Sequence, residues 1–523
     1  MSLPESLAGL LQADAYPHPC DPPQLIETHI SWILLTGSYA YKLKKPVKLD
    51  FVDFSTLARR EHFCREEVRC NRAFAPSLYR DVVRVVRCAD GTVAVDGEGV
   101  VLEWAVRMRQ FDGEQQLDRL LAAGALTLEP LQRFGRELAE RHAARPARPL
   151  SDRDLEPLVL APMRDNVTVL RRLRNRVGAL AQQQALLERV AAAMEMAMAR
   201  ARPQLLGRMS HSIRECHGDL HLANLVLLDG VVTAFDCLEF DPALRWIDPM
   251  SDVAFLYMDC CVRGRADLAY AFVDGYLDAS GDYDGARLLP LYAAYRAMVR
   301  AKVAAIRATQ DDAATASSLP DLLDYLRWAE RLQSREPGRL VLTCGLSGSG
   351  KSYLAQRLAA RLPALRLRSD VARKRLAGLT PDTAAGAAVG EGLYRPGFSD
   401  AVYDGLADTA EALLAAGDDV LVDAAFLEAG RRARFLAIAE RHGVPGVVLW
   451  CDAPVALLRE RVTARAAAGQ DPSDADLAVL ARQQDVFETP GPEAVRVDTS
   501  LALGEERLAA ICDSIRRVPA QGR

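Results

Sequence analysis

An eight-residue stretch narrows what the C-terminal part of this chain can fold into. Gly345-Leu-Ser-Gly-Ser-Gly-Lys-Ser352 follows the apolar run Leu340–Cys344 and precedes Leu354, Leu358 and Leu362 at helical spacing. Strand, then G-x-x-x-x-G-K-[ST], then helix is the context in which a glycine-rich loop cradles phosphate. The glycines let backbone N–H groups turn toward an anion, and the start of the following helix adds a favourable dipole. On this pattern Gly345, Ser347, Gly348, Ser349 and Gly350 build the cradle. Lys351 reaches the β- and γ-phosphates of a nucleotide, and the Ser352 hydroxyl ligates Mg2+.

Strand and helix signals alternate downstream, which predicts an α/β domain with a parallel sheet. Leu365–Asp370 and Val420–Asp423 read as strands that end in an acid. Gly446–Cys451 reads as a further strand, and Pro454–Ala468 as a helix with Arg461 and Arg465 on one face. Ala424 follows Asp423, so the acid-glutamate pair of hydrolytic motor ATPases is missing. The arrangement resembles the P-loop kinases related to gluconate kinase, polynucleotide kinase and zeta toxin. That resemblance implies that Asp370 takes the proton from an acceptor hydroxyl and that Arg373 holds acceptor or phosphate. It further implies that Arg461 and Arg465 stabilise charge on the transferring phosphoryl group, and that Asp423 sits at the Mg2+ or positions substrate. Tyr394, Tyr403 and the cluster at Arg431, Arg432 and Arg434 are expected along the acceptor side.

A second constellation lies upstream. His217-Gly-Asp-Leu-His-Leu-Ala-Asn224, closing at Asp236, sets an acid, an amide and an acid in the order a phosphoryl-transfer site needs. Leu225–Leu228 and Val231–Phe235, joined by Asp229-Gly230, predict a short hairpin that returns Asp236 to the side of Asn224. Further upstream, Trp32–Thr36 and Tyr39–Leu43 read as paired strands and Thr56–Arg72 as a helix. The pattern H-x-D-x-x-x-x-N at His217, Asp219 and Asn224 resembles the aminoglycoside phosphotransferase family, a branch of the protein-kinase-like fold. The resemblance implies a base at Asp219, Mg2+ on Asn224 and Asp236, and a strand lysine paired with a helix glutamate to hold the α- and β-phosphates. Lys42 and Glu67 take those roles, with Lys44 and Glu66 left as competitors. Asp248 and Asp252 are expected to brace the catalytic loop. The full glycine-rich loop of protein kinases is absent, and Cys237-Leu238 stands where they carry Phe-Gly. Both departures point away from that branch.

The 523 residues therefore divide by expectation into a kinase-like N-lobe (1–108), a helical C-lobe (109–332), a linker (333–338) and a P-loop kinase domain (339–518). The N-terminal fold is expected to be α+β, a small antiparallel sheet lobe plus a helical lobe. Residues 1–30 read as a polar, Pro-rich lead-in, and Arg296, Arg300 and Lys302 as a solvated helix face. A net charge of −5 gives no global basic field for nucleic acid or membrane. Eleven irregularly spaced cysteines, an N-terminus unlike a signal peptide and no long apolar run fit a soluble cytoplasmic setting. The order of the two parts is similar to a family described as bifunctional aminoglycoside phosphotransferase and ATP-binding proteins. The expected function is a two-site kinase using ATP and Mg2+ on small-molecule hydroxyl acceptors. Two alternatives stay open: a 5′-hydroxyl nucleic-acid kinase in the C-terminal half, drawing on Arg366–Arg375 and Arg431–Arg434, or a non-catalytic, nucleotide-binding N-terminal half. The oligomeric state is not legible.

Overall fold

The computed structural model describes residues 3–49, 52–309, 312–333, 338–380, 383, 396–468 and 476–520. The expected linker positions 334–337, residues 469–475 and Tyr394 lie outside the described residues. The chain forms two compact units: Met1–Pro130 with Arg141–Pro162 and Arg202–Leu256, and Leu131–Glu140 with Met163–Ala201 and Tyr257–Arg523.

The first unit is built on a six-stranded antiparallel sheet. Its strands are β1 (Gln24–Glu27), β2 (Ser31–Leu35), β3 (Tyr39–Lys44), β4 (Tyr79–Arg87), β5 (Val93–Val95) and β6 (Val100–Arg109), in the spatial order β1-β2-β3-β6-β4-β5. Alternation along β3 turns Tyr41 and Leu43 to one face, and Lys42 and Lys44 to the other. The Tyr41 face packs on Trp32, Leu34 and Val85, and also on Leu3, Leu7, Leu10 and Tyr16. The expected lead-in is therefore part of the core: two 3-10 helices, Glu5–Leu11 and Ala13–Ala15, present an apolar stripe that the proline content masked. The opposite face receives α1 (Leu57–Asn71), whose N-cap Thr56 accepts a hydrogen bond from the Arg59 N–H at 3.3 Å. Further along, β7 (Leu225–Leu228) and β8 (Val231–Ala234) pair antiparallel with Leu225 opposite Ala234. Asp229 and Gly230 take φ of 50° and 80°, the left-handed pair that a two-residue hairpin turn requires.

The second unit carries a five-stranded parallel sheet. The strands are β9 (Leu340–Cys344), β10 (Ala364–Arg368), β11 (Asp419–Asp423), β12 (Gly446–Asp452) and β13 (Val495–Asp498), in the order β10-β11-β9-β12-β13. The phosphate-loop strand β9 is central and buried along its whole length, as its uninterrupted apolar sequence predicts. Helix α2 (Ala266–Ser280) belongs to this unit and crosses the helix Leu128–Ala143 at very short range. A Cβ on Gly275 would stand 2.0 Å from the Gln132 carbonyl oxygen, and one on Gly135 2.2 Å from that of Phe272. Only glycine admits this approach. Arg296, expected on a wet face, is buried, and burial pushes the Lys302 ammonium below its usual value. Among the described residues no helix is long and apolar enough to cross a membrane.

Candidate active sites

In the first unit, Lys42 and Lys44 both reach Glu67. Residues two apart on a strand share a face, so strand register alone cannot choose between them. The Glu67 carboxylate lies between the two ammonium groups, 2.8 Å from Lys42 and 2.7 Å from Lys44. Lys44 also pairs with Glu239 and has a side chain only 1% exposed. Lys42 pairs with Asp236, whose side chain is 44% exposed, so Lys42 is the less enclosed of the two lysines. Burial would raise the Glu67 carboxyl, but the two lysines override it and hold it at about 2. Burial pushes Glu239 up. Glu66 turns outward, to Arg69 at 3.0 Å and Arg245 at 3.3 Å.

The loop carrying Asp219 is fixed by backbone hydrogen bonds. The N–H groups of His217 and Gly218 donate to the two oxygens of Asp252, at 3.0 and 2.9 Å. Burial lowers His217 below its ordinary value, and its Nδ1 accepts the Asp219 N–H at 3.4 Å, as the neutral ring does. Its Nε2 then donates to the Phe235 carbonyl at 2.9 Å. Asn224 Nδ2 donates to both the carbonyl and the Oδ2 of Asp219 at 3.0 Å, which turns its own carbonyl oxygen the other way. The Phe235 N–H donates to the Asn224 carbonyl at 3.0 Å, and the hairpin thereby sets Asp236 beside Asn224. Asp236 has φ of 62°, uncommon for a residue with a Cβ. Its N–H donates to the Tyr79 hydroxyl at 3.1 Å, and the next N–H to Asn71 Oδ1 at 2.9 Å. Carboxylate and amide oxygens are the hard donors that Mg2+ takes. Asp248 accepts both ends of the Arg208 guanidinium, at 2.7 and 2.9 Å, and caps the helix Pro249–Val262 through the Met250 N–H. His142, Cys216 and Asp252 each bring one metal-type donor atom within 4.8 Å of the others, but Asp252 is engaged by the loop N–H groups.

In the second unit the phosphate loop leads into α3 (Lys351–Arg361). Gly348 has φ of 80°, and a Cβ there would lie 2.6 Å from the Leu458 carbonyl oxygen. Lys351 donates to the Leu346 carbonyl at 2.8 Å, and burial pushes its ammonium below the usual value. A phosphate would supply the negative charge that this lysine lacks. Ser352 Oγ donates to Asp423 Oδ1 at 3.1 Å, a hydroxyl and a carboxylate suited to Mg2+. Burial raises Asp423, with Arg366 and Arg368 opposing.

These groups open on a cavity of about 400 Å³. Ser347, Gly348, Gly350, Lys351 and Ser352 line one side of it, while Gly345 and Ser349 are buried within the loop. Arg368, Asp370, Arg373, Tyr403, Asp423, Arg431, Arg461 and Arg465 are among the residues that line the rest. Asp370 lies not at a strand end but in the first turn of α4 (Ser369–Leu376), since β10 stops at Arg368. Arg373 donates to Ser399 Oγ at 3.0 Å. Arg461 donates to the carbonyls of Gly348, at 3.3 Å, and Thr499, at 2.7 Å.

The arginine-rich stretches do not form one exposed strip. Arg366 pairs through both ends of its fork with Asp274 at 2.9 Å, and Arg368 with Asp278 at 2.6 Å. Arg432 donates to the carbonyls of Phe426 and Glu488, both at 2.8 Å, and Arg434 pairs with Asp404. Of the Arg431 cluster, only Arg431 reaches the cavity, stacked 4.5 Å over the Tyr403 ring. Sequence reasoning missed Glu239, and also Gln483, whose Oε1 accepts the Ser347 N–H at 2.7 Å. Neither sits in a recognisable pattern. The acids Asp274 and Asp278 at i, i+4 carried a faint signal, since like charges at that spacing need a basic partner.

Residues 51–289 match the phosphotransferase enzyme family, and residues 340–490 match an AAA domain. The first match begins after β3, so Lys42 lies outside it. Uncharacterized protein Rv2004c of Mycobacterium tuberculosis is 30% identical over 93% of this chain and 94% of its own length. A solved spectinomycin phosphotransferase, in complex with ADP and spectinomycin, covers 61% of this chain and 95% of its own at 12% identity and a TM-score of 0.39. A gluconokinase from Sinorhizobium meliloti 1021 covers 35% and 94% at 19% identity and a TM-score of 0.26. The chain belongs to the same family as the mycobacterial protein and, by its two domain matches, to the bifunctional aminoglycoside phosphotransferase and ATP-binding proteins: it is a kinase that joins a phosphotransferase-family domain to a P-loop kinase domain.

Proposed function

We propose that the chain is a two-site kinase, each site moving the γ-phosphoryl group of ATP to the hydroxyl of a small molecule. The modules are 1–108 and 109–332 for the kinase-like part and 339–518 for the P-loop part, joined at 333–338. The observation that carries this reading is the convergence of Lys351, Ser352, Asp423, Asp370, Arg461 and Arg465 on one cavity. Groups that hold phosphate, that ligate a cation and that accept a hydroxyl proton then meet around one reaction centre.

At the P-loop site the loop N–H groups and Lys351 hold the phosphates. Ser352 and Asp423 hold Mg2+, which when bound offsets charge on the phosphate oxygens. The acceptor oxygen bonds to the γ-phosphorus as the bond to the β–γ bridging oxygen breaks. The hydroxyl proton passes to the Asp370 carboxylate, and the electron pair leaves with ADP. Arg461 and Arg465 stabilise the charge on the phosphoryl group in flight. At the kinase-like site Lys42, held by Glu67, binds the α- and β-phosphates. Asn224 and Asp236 take Mg2+, and Asp219 accepts the hydroxyl proton. Positioning and charge supply most of the rate at both sites.

Small acceptors are favoured over nucleic acid because Arg366, Arg368, Arg432 and Arg434 are engaged by carboxylates or carbonyls instead of forming a backbone track. Eleven free thiols suit the cytoplasm. The test is ATP consumption against pooled sugars, aminoglycosides, nucleosides and 5′-hydroxyl oligonucleotides, with Asp219→Ala and Lys351→Ala run beside the wild type. Each variant is expected to abolish a different acceptor-dependent activity. Loss in Lys351→Ala alone would refute catalysis at the first site for every acceptor in the pool.

A further inference from the structure

Asp423 is held from two directions. Its Oδ1 accepts from Ser352, while Oδ2 lies 3.5 Å from Arg366 Nη1 and 3.9 Å from Arg368 Nε. Neither arginine gives Asp423 its best contact. Arg366 points its fork at Asp274, with both bonds at 2.9 Å, and Arg368 donates to Asp278 Oδ2 at 2.6 Å. Asp274 also accepts from Gln132 at 2.7 Å, and Asp278 from Arg136 at 2.7 Å. Three arginines thus face three aspartates, and of the six only Arg136 is substantially exposed, at 38%. In a buried setting such charges are tolerated only as a closed set.

The distances say what the set does. A bidentate arginine on Asp423 would satisfy both of its oxygens and compete with a cation for them. Asp274 and Asp278 prevent this by keeping the forks turned toward α2. Asp423 is left with long contacts that orient one oxygen and do not engage the other. The helix bearing the two acids is itself fixed, since Gly135 and Gly275 lock its crossing; three residues beyond its end, the Tyr283 hydroxyl donates to the Arg366 carbonyl at 2.8 Å.

We propose that Asp274 and Asp278 on α2 are positioning residues for the P-loop site, restraining Arg366 and Arg368 so that Asp423 stays available to the Mg2+ of a bound nucleotide. The proposal rests on reading that site as a Mg2+–nucleotide site. It makes a helix encoded before the P-loop strand part of that site's machinery.

The experiment measures binding of a fluorescent ADP analogue to the full chain, in EDTA and in Mg2+, counting only the binding that Lys351→Ala removes. Asp274→Asn/Asp278→Asn is expected to leave affinity in EDTA unchanged and to cut the gain produced by Mg2+ by about 10- to 100-fold, the usual effect of losing a residue that supports a metal ligand. The pair Asp274→Leu/Arg366→Met removes both charges together, which buried sites tolerate, and serves if the first variant does not fold. Because it also removes the fork that could turn onto Asp423, it is expected to keep the Mg2+ gain, and a loss of that gain overturns the proposal. A folded Asp274→Asn/Asp278→Asn variant that keeps the wild-type gain overturns the proposal. Equal weakening in EDTA and in Mg2+, the mark of a merely structural role, also overturns it. Wild-type chain with no Lys351-dependent binding would sink the nucleotide reading first, and the proposal with it.

Discussion

Substituting Glu67 by Gln tests the charge network of the first unit with a number attached. The change keeps the shape of a fully buried side chain and removes one charge from between two lysines. Breaking a buried ion pair costs about 3–5 kcal/mol, and the low end applies because Lys42 retains Asp236 and Lys44 retains Glu239. Linkage gives the same size independently: a carboxyl held at about 2 in place of 4.5 is worth about 3 kcal/mol at neutral pH. The sign follows from the direction. A depressed carboxyl stabilises above its ordinary value, and the contribution fades as pH falls toward 2. In a chain whose tryptophans outside the first sheet (Trp246, Trp328 and Trp450) are replaced by Phe, the fluorescence of Trp32 and Trp104 reports the unfolding. Urea titration should then show a gap of about 3 kcal/mol between that parent and its Glu67→Gln variant near pH 7, shrinking to roughly half near pH 3. A gap under about 1 kcal/mol at neutral pH, or one of equal size at both, refutes the reasoning.

Three further outcomes are expected. Asp219→Asn should lower kcat at the kinase-like site by about 10²- to 10⁴-fold with nucleotide affinity intact, as steady-state kinetics and dialysis would report. Lys351→Ala should abolish nucleotide binding at the P-loop without lowering the thermal midpoint, because burial already disfavours that ammonium; calorimetry with and without ADP separates the two effects. Gly275→Ala should destabilise the second unit by about 1–3 kcal/mol in denaturant titration, since its Cβ would meet the Gln132 carbonyl at 2.0 Å.

Much of both sites was legible because backbone-driven patterns carry them. The glycines of 345–350, the Asp229-Gly230 turn and the apolar alternation of β2 and β3 are local statements, and local statements survive folding. The choice between Glu66 and Glu67 was not legible, since neighbouring helix positions differ by a rotation that only packing fixes. The lead-in at 1–30 was misread because prolines signalled a loop while Leu3, Leu7 and Leu10 were already spaced as a stripe. The wet face expected for Arg296 is missing because the helix Leu289–Arg307 is buried around most of its circumference, which its four basic residues do not announce. Glu239, Gln483 and the Asp274–Arg366 pair are contacts across tens to hundreds of residues, and nothing in a single sequence announces them.

The bond between Arg366 and Asp274 also bears on how such a chain can be inherited. A recombination event at 333–338 would look harmless by motif, because it passes between the two phosphate-handling signatures. It would nevertheless separate Arg366 and Arg368 on β10 from the acids on α2 and leave two buried guanidinium groups with Asp423 alone between them. The exchangeable cassette is therefore longer than the P-loop segment and begins upstream of Asp274. Descendants of this chain are expected to gain or lose that arginine and that aspartate together.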